Sequence, residues 1–210
     1  MRVHAAIIFG LIFLLMFASG AYGFVWVSGH AELYNVGGED VEITGNDHDF
    51  VNTIYDPDSH PISFDRDMEI LTANSTYVTW GHSYNGKVLF TGASSHLRIS
   101  FDHEVYGWGM NFQQNVDDDV VYSIELSNGI KRTMSVNGIM GYDAAFLGFC
   151  GGAIDWIDLE IVDTPNEPYP LGFAVGQMVV VNNPVPEPST LILMGIGFAG
   201  VSLYRRFRKV

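Results

Sequence analysis

Apolar residues return at every second position through much of the middle of this chain, and that period decides what it can become. Leu97, Ile99 and Phe101 alternate with Arg98 and Ser100, and Ile157, Leu159 and Ile161 alternate with Asp158 and Glu160. Successive side chains of an extended strand point to opposite faces, so each run has one apolar face and one polar face. The run Val121–Leu126 continues the pattern, and Tyr106, Trp108, Met110 and Phe112 share one face that reads as core. Helical periodicity is weak throughout. Further strands are expected at 31–35, 41–44, 77–80, 88–90, 132–136, 145–149 and 178–181. Turn signals separate them: Gly37-Gly38, Asn85-Gly86, Asp117-Asp118-Asp119, Asn128-Gly129, Asn137-Gly138 and Gly151-Gly152. Asn85-Gly86 and Asn128-Gly129 supply the positive φ angles that a tight hairpin requires. Roughly ten short strands with frequent turns predict an all-β fold, a single β-sandwich of the jelly-roll kind. Residues 46–67, polar and proline-containing, read as a long surface loop with little strand.

The chain has 210 residues, 48% of them apolar, yet its net charge is −14. High apolarity and high acidity sit in different places. The N-terminus is Met-Arg, then an apolar run from Ala5 to Ala18, then Ser-Gly-Ala-Tyr-Gly. A basic start, an apolar stretch and small residues at the cut form a secretory signal peptide. Ala21 and Gly23 place cleavage before Phe24, with Ala18 and Gly20 as the alternative. Residues 1–23 are therefore read as a signal helix handled by the Sec translocon and signal peptidase.

The other end has three parts in order. Val185-Pro186-Glu187-Pro188-Ser189-Thr190 comes first, an apolar stretch from Leu191 to Tyr204 follows, and Arg205, Arg206, Arg208 and Lys209 close the chain. The prolines stop regular structure before the stretch begins. Counted from Ser189 to Phe207, with arginine side chains snorkelling, the stretch just reaches the roughly 17 residues that a membrane helix needs. The basic cluster stays cytoplasmic, which puts the middle of the chain across the membrane. This tail resembles the PEP-CTERM sorting signal of Gram-negative bacteria. The resemblance implies export, a transient stay in the inner membrane, recognition by an exosortase, and transfer to the cell surface or extracellular matrix, in association with exopolysaccharide. A sortase signal of the Leu-Pro-x-Thr-Gly kind is absent from the sequence.

Between the ends lie residues 24–184, enough for one domain. They hold 23 of the 24 acidic residues against five basic ones, Arg66, Lys87, Arg98, Lys131 and Arg132, which is a charge of −18. Binding to nucleic acid needs a basic surface, so it is excluded as a role. The stretch Leu97–Ile161 also resembles the β-sandwich of many PEP-CTERM proteins. The resembling pieces are Leu97-Arg-Ile-Ser-Phe101, Val105-Tyr-Gly-Trp-Gly-Met-Asn-Phe112, Tyr122–Gly129, Phe146-Leu-Gly-Phe149 and Ile154–Ile161. They carry a fold and name no activity.

Chemistry is sparse. No nucleophile elbow, His-Glu-x-x-His helix, P-loop or dinucleotide fingerprint occurs, and His103-Glu104 lacks a second histidine. The lone Cys150 sits in an apolar strand and reads as an inert buried thiol. No catalytic residue is assigned, and a non-enzyme is expected. Among 23 carboxylates a glycosidase pair has no positional signal, which leaves hydrolysis the weakest reading. Three Asp-x-Asp pairs, Asp47/Asp49, Asp56/Asp58 and Asp65/Asp67, leave two readings open. They are either oxygen ligands for Ca²⁺ or a solvated acidic loop. His48 and His60 are weaker candidates for a transition-metal site. Trp156 is placed opposite Ile157 and beside Asp158 and Glu160, where a ring can stack on a sugar, although core packing is the commoner fate of a tryptophan. The expected function is a non-enzymatic structural or adhesive protein linked to exopolysaccharide, with a Ca²⁺-dependent carbohydrate-binding module as the alternative.

Overall fold

The computed structural model describes residues 24–73, 80, 84, 86–115, 119–136, 144–163 and 172–183. The signal segment, the sorting tail from Val185 to Val210, and the turn signals at Asn85, Asp117-Asp118 and Asn137-Gly138 lie outside them, as does the expected strand at 77–80 apart from Trp80. Val25–Pro184 forms one compact unit. Strands make up 67% of the described residues. No helix among them is long and apolar enough to cross a membrane.

The strands are β1 (Val25–Val27), β2 (Glu39–Val41), β3 (Phe50–Tyr55), β4 (Pro61–Thr72), β5 (Lys87–Phe90), β6 (His96–Gln114), β7 (Val120–Leu126), β8 (Lys131–Val136), β9 (Ala145–Asp163) and β10 (Phe173–Val181), with one short helix, α1 (His30–Tyr34). All pairings are antiparallel and join the strands into a single sheet, in the order β2-β10-β5-β4-β6-β9-β7-β8. The sheet curls back on itself. β6 bonds to β4 near its start and to β10 near its end, while β5 links β4 to β10. Strands β6, β7 and β10 meet through aromatic rings. On β7, Tyr122 stands edge-on to Phe112 of β6 at 4.7 Å and to Phe173 of β10 at 5.5 Å. All three are fully buried. The Tyr122 hydroxyl donates to Gln114 Oε1 at 3.4 Å, which keeps that buried oxygen paired.

Several local expectations need correction. Residues 31–34 lie in α1 instead of a strand, with Asn35 as the helix C-cap. Glu32 accepts hydrogen bonds from the amide and hydroxyl of Ser28, the residue before the N-cap Gly29, and Leu33 is the residue the helix buries. Leu33 comes to rest over Gly109 of β6, where a β-carbon would stand 2.3 Å from Leu33 Cδ1. Residues 46–67 hold strand β3 and the first half of β4 instead of a loop. The apolar residues Ile54, Ile62, Phe64 and Met68 of these strands all go to the core. The two segments read as 97–101 and 105–112 are one strand, β6, and the two read as 145–149 and 157–161 are one strand, β9. Tyr106 is only half-buried while Trp108, Met110 and Phe112 are core.

Both long strands stay continuous because β6 bulges first and β9 bulges next, between Ile154 and Cys150. Between Ser100 and Val105 β6 advances five residues while β9 advances two, from Trp156 to Ile154. A bulge bends a strand and re-aims its side chains. Here it turns Asp102 and His103 toward the turn between β3 and β4.

Candidate functional site

The β3–β4 turn runs from Asp56 to His60. Ser59 takes a left-handed φ of 69°, and the Ser59 amide donates to the Asp56 carbonyl at 2.9 Å. The Asp56 carboxylate folds inward and accepts the His60 amide at Oδ1, 2.7 Å. An aspartate that caps its own turn this way fixes the loop without help from the sheet. Its side chain has no exposed surface.

Three segments converge on that carboxylate. His60 Nδ1 is 3.2 Å from Asp56 Oδ2, and His103 Nε2, delivered by the β6 bulge, is 3.8 Å from the same oxygen. Asn182, just past β10, donates through Nδ2 to Asp56 Oδ2 at 2.7 Å and to Asp58 Oδ2 at 2.9 Å. The two imidazole rings lie 4.1 Å apart between centroids. Behind them, Asp102 Oδ1 holds His103 Nδ1 at 2.7 Å. Burial pushes the Asp56 carboxyl up, but the His60 amide, Asn182 and His60 itself outweigh it and leave it below the ordinary range. For His103, burial acts downward, and the bonds to Asp102 and Asn182 outweigh that and raise it. Among the described residues, Asp56, His60 and His103 are the one group of three such side chains whose ligand atoms lie within 4.8 Å of one another.

The six aspartates are held in separate ways. Asp47 Oδ1 accepts from Lys87 Nζ at 2.7 Å and from the Thr72 hydroxyl at 2.6 Å. Asp49 accepts from the Asn46 amide at 2.7 Å. Asp56 and Asp58 share Asn182. Asp65 pairs with the Arg66 guanidinium at 3.1 Å and accepts the Arg98 amide at 3.2 Å, while Asp67 is exposed. Of the six, only Asp56 joins a metal-type cluster. His60 joins it as well, but His48 pairs with Glu69 at 2.7 Å elsewhere.

Trp156 lies on the polar face of β9, as its place in the alternation implies, and is half-buried. The Arg98 guanidinium sits 4.4 Å above its ring. Arg98 also bonds Asp158 at 2.7 Å, and the His96 imidazole bridges Asp158 and Asp65 at 2.5 and 3.2 Å. Trp80 and Trp108 are core, and Trp26 is half-buried under Arg132. Cys150 is half-buried rather than buried, and burial together with the nearby Glu32 pushes its thiol up, away from reactivity.

A third feature went unnoticed in the sequence. A cleft of about 360 Å³ is lined by His30, Tyr34, Asp40, Val41, Tyr84, Gln177 and Met178. It opens where β10 breaks register between Gly176 and Val179, with Gln177 at a φ of 46°. The Tyr34 hydroxyl donates to Asp40 at 2.5 Å, and burial together with that carboxylate pushes its pKa up to about 12. His30 Nε2 meets the Gln177 carbonyl at 2.7 Å. Residues from α1, β2, β10 and the segment before β5 meet there, and no spacing in the chain announces it.

The described fold is all-β, and a processing signal follows it in the sequence. Residues 184–209 match the PEP-CTERM protein-sorting motif. The motif implies an exported protein, held transiently in the membrane and processed by an exosortase. No curated protein matches the chain. Among solved structures, a family 89 glycoside hydrolase from Clostridium perfringens is similar at a TM-score of 0.34 and 9% identity, over 57% of this chain and 15% of that one. A carbohydrate-binding module from a family 31 glycoside hydrolase of the same organism is similar at 0.29 and 10% identity, over 46% of this chain and 75% of that one. An exo-β-agarase is similar at 0.37 and 13% identity, over 70% of this chain and 24% of that one. The chain thus spans about 15% of the length of the first of these.

Proposed function

We propose that this is a non-enzymatic surface or matrix protein of a Gram-negative bacterium, with a structural or adhesive role tied to exopolysaccharide. On this reading residues 24–184 are the mature sandwich-like domain, freed from the signal segment and from the tail. The observation that carries it is the sorting motif at residues 184–209, which begins one residue after Asn183, the last residue described beyond β10. The surface chemistry agrees with it: a charge of −18 keeps such a domain soluble, and anionic polymer can meet it only through bridging cations. A strain lacking the gene should lose matrix cohesion or surface attachment. Wild-type matrix and attachment in that strain would remove the proposal.

A second reading is glycan contact without calcium, supported by the cleft. Two tyrosine rings beside a carboxylate, an imidazole and an amide match what a sugar needs, faces to stack on and groups for its hydroxyls. A glycan array probed with the full-length protein and with Tyr34→Ala decides it. Signals lost in the variant support the reading, and a blank array with the wild type ends it.

A further inference from the structure

We propose that Asp56, His60 and His103 bind one divalent transition-metal ion of the zinc class, which staples the β3–β4 turn to the β6 bulge. This goes beyond the surface role and does not depend on it. The ligand set is two imidazoles and one carboxylate, a combination suited to Zn²⁺ and its neighbours and poorly suited to the all-oxygen preference of Ca²⁺. In a tetrahedral zinc site with bonds of about 2.0 Å, ligand atoms stand roughly 3.3 Å apart. His60 Nδ1 and Asp56 Oδ2 are already 3.2 Å apart, and His103 Nε2 is at 3.8 Å from that oxygen. Small side-chain rotations bring the third ligand in, since all three atoms lie within 4.8 Å.

Two independent features point the same way. First, Asp56 is a fully buried carboxylate whose ion-pairing partners among the described residues are the two histidines, with no lysine or arginine. The His60 amide and Asn182 hydrogen-bond this carboxylate, and a cation between the three side chains adds the countercharge that no lysine or arginine supplies there. Second, His103 presents Nε2 to the cluster while Nδ1 is held by Asp102 at 2.7 Å. A carboxylate behind the far nitrogen is the arrangement that fixes the tautomer and orientation of metal-bound histidine. The site is also reachable: the His60 and His103 side chains are 42% and 26% exposed. Asn182 adds an oxygen, Oδ1, 3.2 Å from His103 Nε2, where a fourth ligand or a bound water belongs.

The test uses the full-length chain purified in detergent, stripped with chelator and titrated with ZnCl₂ alone. The expected result is one Zn²⁺ retained per chain after dialysis and a rise in Tm on adding zinc. His60→Ala/His103→Ala should lose retention and the Tm rise. Asp102→Ala, which leaves all three ligands in place, should weaken affinity by about 10- to 100-fold. His48→Ala, at an exposed histidine outside the cluster, should bind like wild type. No retained zinc in the wild type would overturn the proposal. So would equal retention in the double variant, or a loss in His48→Ala as large as in Asp102→Ala. If the double variant does not fold, the comparison of Asp102→Ala with His48→Ala decides between the two outcomes.

Discussion

The Arg98 guanidinium lies 4.4 Å above the Trp156 ring and at the same time bonds Asp158 at 2.7 Å, so one cation on β6 holds an aromatic and a carboxylate of β9. The Arg98 side chain is 44% exposed, which puts the contact in the weak range for a cation over a ring. A double-mutant cycle with Arg98→Ala and Trp156→Ala should return a coupling of about 0.5–1 kcal/mol in urea denaturation. Zero coupling would mean the stack is not made in solution.

Calcium should do little to this domain. Asp47, Asp56 and Asp65 already have protein partners, and the three Asp-x-Asp pairs are drawn to different ones. A ligand that binds only the folded state raises Tm by mass action. Millimolar CaCl₂ is expected to leave Tm where EGTA leaves it. A saturable rise would restore the acidic segment as a calcium site.

Acid should release the Asp47 clasp. The hydrogen bond from Lys87 and then that from Thr72 hold the Asp47 carboxyl below the usual carboxylate range. A group depressed in the folded state contributes stability above its unfolded pKa and loses it as pH falls through the folded one. NMR titration should find Asp47 protonating below the exposed aspartates, and Lys87→Met should move it back toward them. An unchanged midpoint in that variant would show that the ion pair is not formed.

Phe112→Ala removes a fully buried ring that meets Tyr122 edge-on at 4.7 Å. The expected cost is about 3–5 kcal/mol, the range for deleting a core aromatic. A loss below about 1 kcal/mol would mean that the layers do not meet at this ring.

Replacing Pro186, Glu187 and Pro188 with alanine should leave the precursor in the inner membrane, visible as a full-length band in the membrane fraction. Normal processing and release of the variant would reduce the tail to a plain anchor.

The alternation of Leu97–Phe101, Val105–Phe112 and Ile157–Ile161 announced strands because burial on one face leaves a period of two. It could not announce that β6 runs unbroken through Asp102-His103-Glu104, since a polar trio at a bulge reads like a turn. The segment 46–67 hid two strands for a related reason. Its aspartates are held by groups distant in sequence, the Lys87 ammonium, the Arg98 backbone amide and the Asn182 side chain, so local polarity misreported local burial. The metal-type cluster was legible only in halves. Asp56 and His60 were singled out for different purposes, and His103 and Asn182 reach them from residues with no regular spacing. Helix α1 was missed because five residues with one buried leucine carry no period; only Ser28 and Glu32 hinted at it.

The place of β10 has a mechanical consequence. Its hydrogen bonds tie it to β6 on one side and to β5 and then β2 on the other. The chain beyond Asn183 continues from this strand into residues 184–209. A pull along the axis of β10 therefore acts at right angles to antiparallel hydrogen bonds on both flanks. They are loaded together in shear, not peeled off one after another, and an edge strand at the same point of attachment would give way far sooner.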